Sequence, residues 1–132
     1  MALGRALSAA IVGVTATIVD VEANVGPGLP RIQIVGLADT AISESRDRMK
    51  TAVANSQLHW PKTKVVVSLS PASMPKAGSH FDVAMCLAIL TASSTDPLVR
   101  QRLSETVLLG EVGLDGSLRP VAGGLPVLMA AR

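Results

Sequence analysis

The sequence predicts an α/β chain of the α+β two-layer kind, a mixed β-sheet with its helices on one face. Three observations lead there. Stretches rich in Val, Ile and Thr mark strands near 10–25, 31–35 and 64–69. A segment from Asp39 to about Asn55 carries apolar residues at helical spacing, and one from about Phe81 to Ala92 is apolar almost all round. The resulting order is strands, helix, strand, helix, strands, helix.

In the first stretch Thr15, Thr17, Val19, Val21 and Ala23 alternate with Ile18, Asp20 and Glu22, the period-2 pattern of a strand. Gly13 marks a turn or bulge that divides it. Val25-Gly26-Pro27-Gly28-Leu29-Pro30 is a loop signal, and the short strand Arg31 to Val35 closes at Gly36. The first helix is capped by Asp39 or Thr40, with Ile42, Met49, Ala52 and Val53 inward; Glu44 and Arg48 form an i,i+4 pair on the opposite face. Lys64 to Leu69 is continuously β-branched, as expected of a strand covered on both faces. A loop punctuated by Pro and Gly, Ser70 to Ser79, leads into the buried second helix. Thr91 to Pro97 is a polar break, Thr106 to Leu109 a further short strand, and Asp115-Gly116 a hairpin turn between apolar flanks. Leu125 to Ala131 reads as a helix start with no stop signal before Arg132, so more chain is expected to follow it.

The bulk numbers bound the function. One domain over residues 1–132 is expected, with a core of Val, Leu, Ile, Ala and Met, because 48% of the 132 residues are hydrophobic and only 2% aromatic. No apolar run reaches the roughly eighteen residues of a membrane span, and Met1 to Ala10 lacks the compact apolar segment of a secretory signal. Cys86, the single cysteine, lies in the apolar run Val83 to Leu90 and is expected to be a small buried hydrophobe. It has no intramolecular partner, which suits a reducing, cytoplasmic location. A net charge of +2, from 12 basic and 10 acidic side chains, decides nothing about nucleic acid by itself.

No short motif carries chemistry. The phosphate-cradling G-x-x-x-x-G-K-[ST] pattern is absent, and Gly26-Pro27-Gly28 is a turn rather than a dinucleotide fingerprint. His59, His80 and Cys86 are too far apart in sequence for the usual paired zinc ligands, so no metal site is expected. Asp82, at the start of the second helix, suits the helix dipole and can cap free amides, and Glu111 follows Gly110 at a strand end. Arg46, Arg48 and Lys50, with Arg31 before the helix, form a modest cationic group; it reads first as a solvated face, diluted by Glu44 and Asp47, and second as a DNA or subunit contact.

Three longer stretches are more specific: 36–48 (Gly-Leu-Ala-Asp-Thr-Ala-Ile-Ser-Glu-Ser-Arg-Asp-Arg), 70–82 (Ser-Pro-Ala-Ser-Met-Pro-Lys-Ala-Gly-Ser-His-Phe-Asp) and 109–121 (Leu-Gly-Glu-Val-Gly-Leu-Asp-Gly-Ser-Leu-Arg-Pro-Val). Together they resemble the N-terminal domain of the ComM/YifB family of magnesium-chelatase-like ATPases, over essentially the whole chain. The resemblance implies a fold like the Lon proteolytic domain, shared with GHMP kinases and ribosomal S5 domain 2. It also implies a following AAA+ module that binds ATP and Mg2+, a homo-hexameric ring in which adjacent subunits and DNA are the partners, and, in the ComM branch, helicase work in branch migration during natural transformation. No cofactor is implied for these residues themselves. The magnesium-chelatase label leaves open a role as partner in metal chelation.

The Lon comparison also makes the chain a pseudo-protease. In a Lon-type peptidase a lysine takes the proton of a serine nucleophile at the end of P-K-D-G-P-S. Here Pro75-Lys76-Ala77-Gly78-Ser79-His80 places His80 there, with Ser79 one residue early. The lysine position near Gly123-Gly124 falls on Leu125 or Pro126, and no lysine follows Lys76 anywhere. Peptidase chemistry at Ser79 would need an unusual base.

Overall fold

The computed structural model describes residues 2–12, 15–71, 76 and 78–119. Its elements are β1 (Ala2–Val12), β2 (Thr15–Gly26), β3 (Arg31–Val35), α1 (Asp39–Asn55), β4 (Lys64–Ser70), α2 (Asp82–Thr91), α3 (Pro97–Glu105), β5 (Glu111–Val112) and β6 (Leu118–Arg119). Four strands form one mixed sheet in the order β1-β2-β4-β3, in which only the β3–β4 pair, joined through α1, is parallel. The expected mixed sheet is present.

Alternation decides which face is covered. Val19, Val21 and Ala23 of β2 and Val65, Val67 and Leu69 of β4 are buried, and the register sets Val21 beside Leu69 and Ala23 beside Val67. Met49 and Val53 of α1 and Met85 and Ile89 of α2 join the same cluster, so both helices lie on that face. Val66 and Ser68 point the other way and are only half-buried, which corrects the expectation that β4 is covered on both sides. A β-branched run cannot report which face is covered, because β-branched residues pack equally well on either side of the pleat.

The long hairpin begins earlier than expected. β1 pairs with β2 from Ala2↔Val25 to Val12↔Thr15; Gly13 itself lies outside the described residues. Gly4, Ala6 and Ser8 have low strand propensity, and the structure explains them by proximity. A Cβ on Gly4 would lie 2.0 Å from the Ala88 carbonyl oxygen, so α2 crosses β1 at a distance only a bare Cα allows.

α1 and α2 run as expected to within a residue or so, although neither Asp39 nor Thr40 caps α1. Ala38 occupies that position and its side chain accepts no hydrogen bond; its own N–H donates to the Lys76 carbonyl at 2.9 Å. α2 is buried nearly all round, as its composition predicts. Helix α3 was not expected. Asp96 accepts from the Leu98 N–H at 2.9 Å and Pro97 opens the helix, a start signal that is legible in retrospect. Its apolar stripe is weak because none of its residues is buried. Arg100 ties it down, donating to the carbonyls of Leu3, Ala92 and Ser94 at 2.8–2.9 Å. The expected strand Thr106 to Leu109 shrinks to one parallel bridge, Val107 with Leu7. The hairpin at Asp115-Gly116 forms as expected, with Gly116 at φ 90° and the Gly113 N–H donating to the Ser117 carbonyl at 2.7 Å. The expected final helix, Leu125 to Ala131, lies outside the described residues, as do Gly123, Gly124 and most of the 72–77 loop.

Candidate functional site

The most heavily bonded polar group in the interior is the carboxylate of Asp82, which is fully buried in the first turn of α2. Ser45 and Arg48 stand one helical turn apart on α1 and therefore share a face. Ser45 Oγ donates to Asp82 Oδ1 at 2.8 Å, Arg48 Nε to Oδ2 at 2.7 Å and Arg48 Nη2 to Oδ1 at 3.1 Å. The Val112 N–H of β5 donates to Oδ2 at 3.3 Å. One carboxylate thus joins α1, α2 and β5. The hydrogen bond to Asp82 holds the Arg48 guanidinium above its ordinary pKa against the opposing effect of burial. Position in the first turn of α2 favours the negative charge further.

This arrangement corrects the expectation that Asp82 caps helix amides. The α2 cap is Phe81, without a side-chain bond, and both carboxylate oxygens are already engaged. A carboxylate engaged by α1 and β5 in this way serves cohesion. The expected Glu44–Arg48 pair survives only at 4.0 Å, because Arg48 turns inward to Asp82.

Beside this node is a cleft of about 270 Å³ lined by Thr40, Glu44, Arg48, Gly78, Ser79 and Glu111. Ser79 reaches it, half-buried, while its backbone carbonyl accepts from the Asp82 N–H at 3.1 Å. His80 turns away. Its Nε2 lies 2.9 Å from the Ala9 carbonyl, and since a carbonyl only accepts, that nitrogen carries the proton. The ring rests on Phe81 with centroids 4.1 Å apart. The Lys76 ammonium is buried and donates to the Pro71 carbonyl, and burial pushes its pKa down. Leu125 and Pro126, at the peptidase's lysine position, lie outside the described residues.

Burial lowers the pKa of His80 below its ordinary 6.5, outweighing the Ala9 hydrogen bond and the field of Asp82. The unfolded chain then binds the proton more readily than the folded one, so the neutral ring's contribution is complete above about 6.5 and is lost as pH falls through that value toward the folded pKa. Urea titrations at a series of pH values should therefore show stability declining more steeply below neutrality in the native chain than in His80→Gln. Equal slopes would remove His80 from the account. Cys86, on α2, is the expected buried hydrophobe, its thiol pushed up to about 11 by burial first and by the field of Asp82 second.

The three cations singled out in sequence do not stay together. Arg48 belongs to the buried node, whereas Arg46 and Lys50 line a separate cleft of about 720 Å³ with Arg31, His59, Trp60 and Lys62. Sequence reasoning missed Lys62 and the tryptophan as members of this group. The only available signal was the cluster His59-Trp60-Pro61-Lys62, which reads as an ordinary turn. Among the described residues no three of His, Cys, Asp and Glu are grouped as metal ligands, and no helix is long and apolar enough to cross a membrane.

Comparison with known proteins follows the same outline. The family model described as subunit ChlI of Mg-chelatase matches residues 21–132. An uncharacterized protein of Mycobacterium tuberculosis (strain H37Rv) is 48% identical over 132 residues, all of this chain and 26% of that protein. The uncharacterized protein YifB of Escherichia coli K12 is 38% identical over 125 residues, 95% of this chain and 24% of its own length. Competence protein ComM of Haemophilus influenzae is 36% identical over 132 residues, 100% of this chain and 26% of that protein. The chain thus spans about a quarter of the curated relatives it matches.

Proposed function

The chain belongs to the Mg-chelatase subunit ChlI family that includes ComM- and YifB-like proteins, and from that premise we propose that it is a non-catalytic N-terminal accessory domain of a larger AAA+ ATPase. In this reading it helps assemble a hexameric ring or engage DNA, in the cytoplasm, for branch migration of the kind that natural transformation requires. The observation that carries it is the Asp82 node. The one buried carboxylate among the described residues is consumed by Ser45, Arg48 and Val112, so the interior charge serves cohesion. A Lon-like scaffold whose serine position holds a packed histidine fits the same reading: His80 is committed to Ala9 and Phe81.

No G-x-x-x-x-G-K-[ST] stretch occurs in these residues, so they offer no loop of that kind for ATP, and we assign ATP and Mg2+ to a module outside this chain. Purified chain should release no phosphate from ATP in the presence of Mg2+. Turnover that tracks with the chain through successive purification steps would sink the proposal.

One observation favours a second reading. Ser79 opens onto a cleft that also holds Glu44 and Glu111, so a serine peptidase with a carboxylate base has its groups nearby. A fluorophosphonate probe separates the two: the accessory reading expects no adduct, and labelling abolished by Ser79→Ala establishes the peptidase. The family model's own description supports a third reading, a partner in magnesium chelation. That role would show as stimulation of metal insertion into a porphyrin by the full-length protein.

A further inference from the structure

The largest cleft described is also the most one-sided in charge. Arg31 at the start of β3, Arg46 and Lys50 on α1, and Lys62 in the turn before β4 all line it, and neither Asp nor Glu does. Four cations on one concavity is a steep local excess for a chain of net charge +2. Among the described residues the ion pairs are Arg5–Asp20, Arg48–Glu44 and Arg48–Asp82, so none of these four is neutralised by a carboxylate. Like charges held together cost free energy in the absence of a counter-charge, and that cost is recovered when an anion arrives.

The cleft is not purely ionic. Trp60 forms part of its wall while packing against the core, and Pro30, Ile32 and Pro61 add apolar surface beside it. At about 720 Å³ it lies within the roughly 300–1,000 Å³ of organic ligand sites. An aromatic among cations in a groove fits a ligand with phosphates at regular spacing and an exposed flat face. A single nucleic-acid strand has both. A duplex keeps its bases stacked inside and so offers Trp60 no exposed flat face along its length.

We propose that the cleft between β3, α1 and the turn at 58–62 binds single-stranded nucleic acid, its phosphates contacting Arg31, Arg46, Lys50 and Lys62 and a base lying against Trp60. This deepens the DNA-engagement arm of the proposed function and rests on it. Ring assembly needs no such cleft.

The test is fluorescence anisotropy of a labelled oligothymidylate titrated with the 132-residue chain at about 50 and 200 mM salt. Four phosphate contacts imply a slope of log K against log salt of about −3. The double variant Lys50→Gln/Lys62→Gln, on exposed positions whose loss leaves the core intact, should flatten that slope by about 1.4 and weaken binding about sevenfold more at the lower salt than at the higher. Arg5→Gln/Arg102→Gln removes the same charge elsewhere and should leave binding nearly unchanged. Trp60→Leu, checked for native circular dichroism, should weaken binding without altering the slope. Equal losses in the two double variants mean diffuse attraction and overturn the proposal. So does equal competition by oligoglutamate, by inorganic phosphate at matched charge, or by a duplex. Absence of any binding overturns it too, yet leaves the assembly arm of the accessory reading standing, which ATP turnover or probe labelling of this chain tests separately.

Discussion

Asp82→Ala is expected to lower folding stability by about 3–5 kcal/mol, the usual cost of breaking a buried ion pair from one side. The carboxylate is fully buried, whereas the Arg48 side chain keeps 20% of its exposure. Truncation leaves the guanidinium, the Ser45 hydroxyl and the Val112 N–H without their shared acceptor. Against a total stability of about 5–15 kcal/mol for a domain, that loss decides whether the chain folds at physiological temperature. Urea denaturation followed by circular dichroism measures it. Asp82→Asn, which retains the volume and loses the charge, should fall between the two. Arg48→Met placed on top of Asp82→Ala should cost less than the two single changes added together, since the stranded cation is then gone. A denaturation midpoint for Asp82→Ala equal to that of the native chain would show that the node contributes no cohesion.

The second large effect is expected at a residue with no side chain. Gly4→Ala places a carbon 2.0 Å from the Ala88 carbonyl oxygen and 3.0 Å from the Cα of Ala92. Both obstacles are backbone, which cannot swing aside as a flexible side chain does. Helix α2 must retreat from the sheet or β1 must shift, and the expected cost is at or above the upper end of the roughly 1–3 kcal/mol typical of overpacking. Gly26→Ala is the control: its nearest new neighbour is the Asn24 amide nitrogen at 3.6 Å, so the same chemical change should be nearly neutral. Comparable urea midpoints for the two variants would mean that α2 does not press on β1 as closely as described.

Much of the sheet was legible because burial imposes a period. Val19, Val21 and Ala23 announce a strand whatever lies on top of them. Residues 2–9 of β1 were hidden because the small residues there are explained by a helix that crosses the strand some eighty positions later in the chain, information that no local window contains. α3 was hidden for the opposite reason: it buries nothing, so the apolar periodicity that reveals helices is faint. The candidate site residues divide in the same way. Arg46 and Lys50 stand on one helix at readable spacing, whereas their company with Arg31, Trp60 and Lys62 depends on how β3 and the turn before β4 fold around α1. Asp82 was visible as a first-turn carboxylate, yet its partners are 30, 34 and 37 positions away, beyond any motif.

A core assembled almost wholly from aliphatic side chains has an optical consequence. The chain contains one tryptophan and no tyrosine, and the lone phenylalanine, buried beneath His80, emits negligibly beside an indole. Practically all of the protein's intrinsic ultraviolet emission therefore originates at Trp60. That ring is packed partly against the interior and partly against solvent in the cationic cleft. Its emission colour registers loss of the core, and its quenching by iodide or by acrylamide registers access to the cleft. Iodide, drawn in by the surrounding cations, should quench more efficiently than neutral acrylamide, so the molecule carries its own gauge of the local field.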